Sequence, residues 1–150
     1  MKNQGKDLHC SGAILDPNNV ITAAHCMKIN GRKVKNDDLT FILGTSDLKD
    51  TKNSERGVQT LKMVGYDIHP QYAGSAYYDV SIITVKTISF TDRVFPICLP
   101  SEYSSDRNDL EKQQGIALGY GPTNPFSTNP NLVLTSLPLQ ILSSDVCSDR

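Results

Sequence analysis

The apolar residues of this chain come in short runs that are rich in β-branched side chains. Clusters of Gly, Pro, Asn and Asp separate these runs, and no long helix is evident. Many short strands between turn signals are typical of an antiparallel sandwich or barrel. We therefore predict an all-β fold. The candidate strands are residues 10–15, 20–22, 39–44, 57–65, 79–85, 115–120 and 132–142.

The length of 150 residues and the 38% hydrophobic content suit about one domain with a modest core. A polar segment, residues 101–114, follows Pro100 and is predicted to be a linker between a first and a second group of strands. Residues 122–131 hold three prolines and three asparagines, which favours a surface loop.

The charged residues exclude some classes of partner. The chain has 15 basic and 16 acidic residues, mixed along its length, for a formal net charge of -1. Such a balance provides no basic surface for nucleic acid or for an anionic membrane. No apolar run approaches the roughly 20 residues of a membrane-spanning helix. We therefore expect neither a nucleic-acid nor a membrane partner.

The four cysteines, Cys10, Cys26, Cys98 and Cys147, form no CxxC pair and no spacing suited to zinc. This pattern favours disulfides and an oxidising compartment, although four cysteines allow three pairings that the sequence alone leaves open. The opening residues MKNQGKDLH lack the apolar centre of a secretory signal. The two observations are reconciled if the natural N-terminus is missing, and we expect that it is.

Several segments carry a more specific pattern. HCSG at residues 9–12 precedes TAAHC at residues 22–26, which places His25 between an alanine and a cysteine. The later segments are IHPQY (68–72), YDVSIITV (78–85), VFPICLP (94–100), GIALGYG (115–121) and LPLQILSSDVC (137–147). In this order, the segments resemble the chymotrypsin/trypsin-like serine proteases, although Tyr120 stands where that family usually has a tryptophan.

The resemblance implies a fold and a catalytic pair. The fold is a double six-stranded antiparallel barrel, with the first barrel nearly complete over residues 9–100 and the second only begun over 115–150. His25 corresponds to the general base of the family, and Asp79 to the buried carboxylate that orients the imidazole and stabilises its protonated form. The resemblance also pairs Cys10 with Cys26, which would tie the turn of the histidine to a neighbouring strand.

Other parts of the family pattern are not found in these residues. The nucleophilic serine usually follows the aspartate by roughly ninety residues, which places it near position 170, beyond Arg150. No GDSGG-like stretch and no Ile-Val-Gly-Gly-like terminus occurs. We therefore expect a fragment without its nucleophile that is inactive alone. Cys98 resembles the cysteine that bridges to a pro-segment or light chain, and Cys147 one that pairs further along.

The resemblance predicts an extracellular, trypsin-like serine endopeptidase that acts on protein or peptide substrates and needs no cofactor. The alternative is a catalytically inert homologue that binds proteins through the same scaffold. We expect no metal, because the lysines in the loop that holds Asp47, Asp50 and Glu55 argue against calcium. His9 and His69 are interpreted as surface or satisfied core residues.

Overall fold

The computed structural model describes residues 2–3, 6–7, 10–29, 32–50, 57–99, 111, 113–121, 131–143 and 145–146. They belong to two compact units, Met1–Ile97 and Cys98–Arg150. Strands and short 3₁₀ turns make up nearly all the regular structure of this part of the chain, which confirms the predicted all-β class. None of its helical segments is long and apolar enough to span a bilayer.

The first unit contains nine strands among its described residues, and the second contains two. The strands of the first unit are β1 Lys2–Asn3, β2 Lys6–Asp7, β3 Ala13–Ile14, β4 Asn19–Thr22, β5 Lys28–Ile29, β6 Arg32–Lys33, β7 Thr40–Leu43, β8 Gln59–Ile68 and β9 Ser81–Val85. Those of the second are β10 Gln114–Gly119 and β11 Thr135–Gln140.

The main sheet of the first unit has five strands in the order β3-β4-β9-β8-β7. Every neighbouring pair is antiparallel, and the sheet curls strongly into a half-barrel, as expected for the first part of a trypsin-like barrel. The short strands β1 and β2 pair with each other, as do β5 and β6. In this arrangement β4 and β9 lie side by side at the centre of the sheet.

Alternation along β9 places its residues on two faces. Ser81, Ile83 and Val85 are buried, whereas the residues between them are half-buried. Ile83 lies opposite the buried Val20 of β4. Burying a side chain of this size contributes about 1.5–3 kcal/mol. Pairs of this kind hold β4 against β9. The ends of these two strands determine where the candidate functional residues lie.

The turn between β3 and β4 is closed by an aspartate. Asp16 Oδ1 accepts hydrogen bonds from the backbone N–H groups of Asn18 at 2.8 Å and Asn19 at 2.9 Å. A further hydrogen bond, from the Asn19 side chain, is the largest cause that lowers the pKa of the Asp16 carboxyl below its ordinary value, and the backbone bond from Asn18 is the next. The turn sets the point at which β4 begins, because Pro17 disfavours a continuing strand.

Strand β8 is longer than predicted. The apolar pattern suggested residues 57–65, whereas the strand runs to Ile68. An irregularity between Met63 and Gly65 shifts the register against β9, so Val64 is an extra residue in the ladder. A bulge of this kind bends a strand and increases its twist, which suits a curled sheet.

In the second unit, β10 and β11 form an antiparallel ladder from Gln114↔Gln140 to Gly119↔Thr135. Pro138 lies within β11. Proline has no N–H to donate to a neighbouring strand, so it is tolerated in an edge strand, where that position can face solvent. The predicted loop at 122–131 lies outside the described residues except for Asn131, and so does most of the predicted linker.

Candidate active site

His25 is presented by a short 3₁₀ turn, Ala24–Met27, that follows β4. Three of the four residues of this turn are buried: Ala24 is fully covered, and Cys26 and Met27 are 3% and 1% exposed. They anchor the turn in the core, while the side chain of His25 remains 63% exposed. The sequence TAAHCM therefore folds so that one imidazole faces outward from a well-packed turn.

The register of β4 against β9 brings Asp79 to this turn. Thr22 at the end of β4 pairs with Ser81 at the start of β9. His25 lies three residues after Thr22, and Asp79 lies two residues before Ser81. Because the strands are antiparallel, the end of β4 and the beginning of β9 meet at one edge of the sheet. Two residues 54 positions apart in sequence are thereby made neighbours.

Both oxygens of Asp79 contact His25. Oδ2 lies 2.7 Å from the imidazole Nδ1, and Oδ1 accepts a hydrogen bond from the backbone N–H of His25 at 2.8 Å. The double contact fixes the carboxylate relative to the turn and favours the tautomer in which Nδ1 carries the proton. The other ring nitrogen, Nε2, is then an acceptor, and no described residue bonds to it.

The Asp79 carboxylate is half-buried, with 24% of its side chain exposed. The resemblance implied a buried carboxylate. This expectation is wrong, because the described residues leave the Asp79 side chain only half-buried. Asp79 precedes β9 instead of lying within it, so its side chain is at the edge of the sheet. The hydrogen bond from the His25 side chain, followed by that from the His25 backbone, lowers the pKa of Asp79 below its ordinary value.

The pairing of Cys10 with Cys26 is confirmed. A disulfide joins them, with their Cα atoms 6.2 Å apart. Since Cys26 is adjacent to His25 in the 3₁₀ turn, the bridge ties that turn to the segment that precedes β3. The turn of the histidine is thus held by core packing on one side and by a covalent link on the other.

Among the described residues, neither Cys98 nor Asp47 bonds to the His25–Asp79 pair. Cys98 carries an exposed free thiol, and Cys147 lies outside the described residues. In the acidic loop, Asp47 Oδ1 accepts from the backbone N–H of Lys49 at 2.9 Å, and Glu55 lies outside the described residues.

One group of potential metal ligands occurs among the described residues, and it comprises Cys10, His25 and Cys26. Two of its three members are the sulfurs of the disulfide. A metal ion binds the thiolate form of cysteine, so this group suits a metal poorly while the bridge is formed.

Two further residues, Tyr78 and His69, were assigned no functional role from the sequence, in which His69 was interpreted only as a surface or satisfied core residue. The ring of Tyr78, immediately before Asp79, stacks on the ring of His69, with the ring centroids 4.8 Å apart and the planes 11° from parallel. Both residues belong to segments that carry the family resemblance. Nothing in their residue types indicated that they would touch each other.

Acid is expected to weaken the contribution of the Asp79–His25 contact to the stability of the fold. Because the pKa of Asp79 is lower in the folded chain than its ordinary value, its contribution to stability is complete above about pH 3.9 and is lost as the pH falls through the folded-state pKa. We expect the difference in free energy of unfolding between the wild type and Asp79→Asn to shrink as the pH falls below about 3.9. Urea titrations over this pH range measure it.

Asp16 does not confound this comparison. Its pKa is also lowered, but Asp16 is present in both proteins and its contribution cancels in the difference. A difference that stays constant through the acid range would contradict the assigned contact.

The whole chain resembles one known family. The family described as Trypsin matches residues 1–150. The chain is 30% identical over 147 residues to the proclotting enzyme of Tachypleus tridentatus, an alignment that covers 95% of this chain and 38% of that protein.

Two other relatives agree with this match. The chain is 26% identical over 140 residues to the clotting factor G beta subunit of Tachypleus tridentatus, covering 93% of the chain and 43% of the relative. It is 30% identical over 116 residues to the venom serine protease Bi-VSP of Bombus ignitus, covering 75% and 30%. The chain spans less than half the length of each of these relatives.

Proposed function

The chain belongs to the trypsin family of serine proteases, and on this premise we propose that it supplies the proton-handling part of an endopeptidase site. In this proposal His25 is the general base and Asp79 orients it. The observation that carries the proposal is the pair of contacts between these residues, 2.7 Å at Nδ1 and 2.8 Å at the backbone N–H. The serine nucleophile would come from sequence outside these residues.

The chemistry is acyl transfer in two stages. In the first, the serine hydroxyl attacks the peptide carbonyl, and its proton passes to Nε2 of His25. Collapse of the tetrahedral intermediate breaks the C–N bond, and the same proton goes to the leaving amine. In the second, water attacks the acyl-enzyme and its proton passes to Nε2 of His25. The C–O ester bond then breaks, the proton goes to the serine oxygen, and the carboxylic acid product is released. At both stages Asp79 stabilises the imidazolium and keeps Nε2 directed toward the reacting atoms.

The exposure of His25 supports this role over a purely structural one. A histidine that only satisfies a buried partner would be enclosed, whereas the His25 side chain is 63% exposed and leaves Nε2 free of described partners. An inert protein-binding homologue would have no mechanistic need for a carboxylate whose two oxygens contact the backbone N–H and the ring Nδ1 of the same histidine. The retained pair therefore favours the protease.

We further propose that the chain acts outside the cell on protein substrates. The Cys10–Cys26 disulfide supports an oxidising compartment. The exposed thiol of Cys98 is suited to a bridge with a pro-segment or light chain. Nonreducing mass spectrometry of the secreted protein would identify the partner of Cys98.

The proposed function is tested by obtaining the full transcript and expressing the protein that it encodes. We expect a GDSGG-like segment downstream of Arg150, and cleavage of peptide amide substrates that is lost in a variant with this serine replaced by alanine. A transcript that ends after Arg150 would overturn the proposal for this product. So would a folded full-length protein that contains the serine, has been activated, and cleaves none of a broad set of peptide substrates.

A further inference from the structure

Tyr78 has a backbone conformation that is unusual for its residue type. Its φ is 57°, and among the described residues it is the non-glycine residue with a positive φ. Bulky side chains rarely occupy this left-handed region, where asparagine, aspartate and glycine are favoured. The surroundings must therefore hold Tyr78 in place. Because Asp79 is the next residue, this conformation sets the direction in which the Asp79 carboxylate leaves the chain.

The backbone around Asp79 is fixed on both sides. The N–H of Val80 donates to the carbonyl oxygen of Tyr78 at 2.8 Å, which closes a tight three-residue turn centred on Asp79. The N–H of His69 in turn donates to the carbonyl oxygen of Val80 at 3.0 Å. The turn that carries Asp79 is therefore tied to the segment that follows β8.

The same segment also holds the side chain of Tyr78. His69 stacks on the Tyr78 ring, and its own ring is oriented because Nδ1 accepts from the backbone N–H of Gln71 at 3.2 Å. The His69 carbonyl oxygen accepts from the N–H of Tyr72 at 2.9 Å. Tyr72 contacts Lys28, whose Nζ lies 5.0 Å from the ring centroid and which directly follows the turn of His25. Residues 69–72 thus contact the two residues that flank Asp79 and the residue that follows the His25 turn.

We propose that His69 and Tyr78 are positioning residues, whose ring stacking holds the left-handed backbone of Tyr78 and thereby aims the carboxylate of Asp79 at His25. Neither residue would touch the substrate. The consequence for catalysis rests on the proposed function, whereas the positioning itself is a property of these residues and can be measured in the chain without the nucleophile.

The test reads the Asp79 carboxyl directly. The hydrogen bond from the His25 side chain holds the pKa of this carboxyl below its ordinary value. NMR titrations of the 150-residue chain, read at the Asp79 side-chain ¹³C resonance, would follow that pKa in each variant. We expect Tyr78→Val to return it toward the ordinary value, because valine disfavours the left-handed region and has no ring. His69→Ala should move it in the same direction.

Two matched variants should keep the lowered pKa. Tyr78→Phe keeps the ring, and Tyr78→Asn loses the ring but tolerates the left-handed backbone. A purely structural role for the ring would not predict rescue by asparagine. If Tyr78→Val does not fold, His69→Ala and Tyr78→Asn decide the question.

The proposal is overturned if His69→Ala folds with its disulfide intact and leaves the Asp79 pKa as low as in the wild type. It is also overturned if Tyr78→Asn raises that pKa as far as the loss of His69 does. Inactivity of the full-length protein, with these titrations as expected, would remove the proposed function and leave the positioning role standing.

Discussion

Asp79→Asn is expected, under the proposed function, to lower the turnover of the full-length protein by about 10⁴-fold, the loss that the corresponding exchange produces in a serine-protease triad. An asparagine amide retains the shape of the carboxylate, but it can no longer stabilise the imidazolium. It also favours the wrong tautomer, because its N–H₂ group can donate to Nδ1 of His25. Steady-state hydrolysis of a peptide substrate gives the ratio of turnover numbers.

Asp67→Asn is the matched control for this variant. Asp67 lies on β8, its side chain is exposed, and its backbone carbonyl is the group that accepts from Ser81 Oγ at 2.8 Å. We expect activity close to that of the wild type. An Asp79→Asn enzyme that retained a tenth or more of wild-type turnover, a limit of about 1.4 kcal/mol in barrier height, would contradict the assigned role of the carboxylate.

Loss of the Cys10–Cys26 bridge is expected to cost about 3 kcal/mol of the free energy of unfolding. The bridge closes a loop with a sequence separation of 16, and cross-linking a loop of this size restricts the unfolded chain by about that amount. Cys26 is 3% exposed, so alanine is the better replacement there and serine the better one at exposed Cys10. Urea denaturation followed by far-ultraviolet circular dichroism measures the loss.

Cys98→Ser is the control for the cysteine experiment. Its thiol is exposed and free, and a surface substitution of this kind changes stability by less than about 0.5 kcal/mol. A double variant at Cys10 and Cys26 that unfolded at the same urea concentration as Cys98→Ser would show that the bridge does not stabilise the fold.

The longer strands could be predicted from the sequence because their patterns are local. The runs that became β4, β7, β9 and β10 are β-branched or apolar and are bounded by turn residues, so their positions follow from residue type. The predicted ends of the strands were less accurate than their positions. Strand β8 continues to Ile68 because β9 pairs with it as far as Ser81, a tertiary contact that no local pattern contains.

The hairpin of β5 and β6 was missed although a signal was present. Asn30 and Gly31, a residue pair strongly favoured in two-residue hairpin loops, stand between the two strands. The flanking residues are mostly charged, with Lys28 opposite Lys33, so the hydrophobic alternation on which the strand predictions relied is absent there. The Asn-Gly pair in the sequence is a better guide than the hydrophobic pattern for these two strands.

The candidate site was predictable only through the family resemblance. Residue types alone could not have joined His25 to Asp79, because their contact depends on the register of β4 against β9. The same holds for the disulfide, since four cysteines allow three pairings. The roles of His69 and Tyr78 depend on a backbone angle and a ring contact, for which tyrosine gives no indication in a sequence.

The contact of Asp79 with His25 Nδ1 at 2.7 Å places the ring proton on Nδ1 and leaves Nε2 as the proposed base. The most direct test is to record the ¹⁵N resonances of the His25 imidazole in the chain while the ring is neutral, since these distinguish a protonated ring nitrogen from one with a free lone pair. We predict a protonated Nδ1 and an unprotonated Nε2 in the wild type, and loss of this preference in Asp79→Asn. A wild-type ring protonated on Nε2, or one that exchanges freely between both forms, would show that Asp79 does not fix the tautomer of His25.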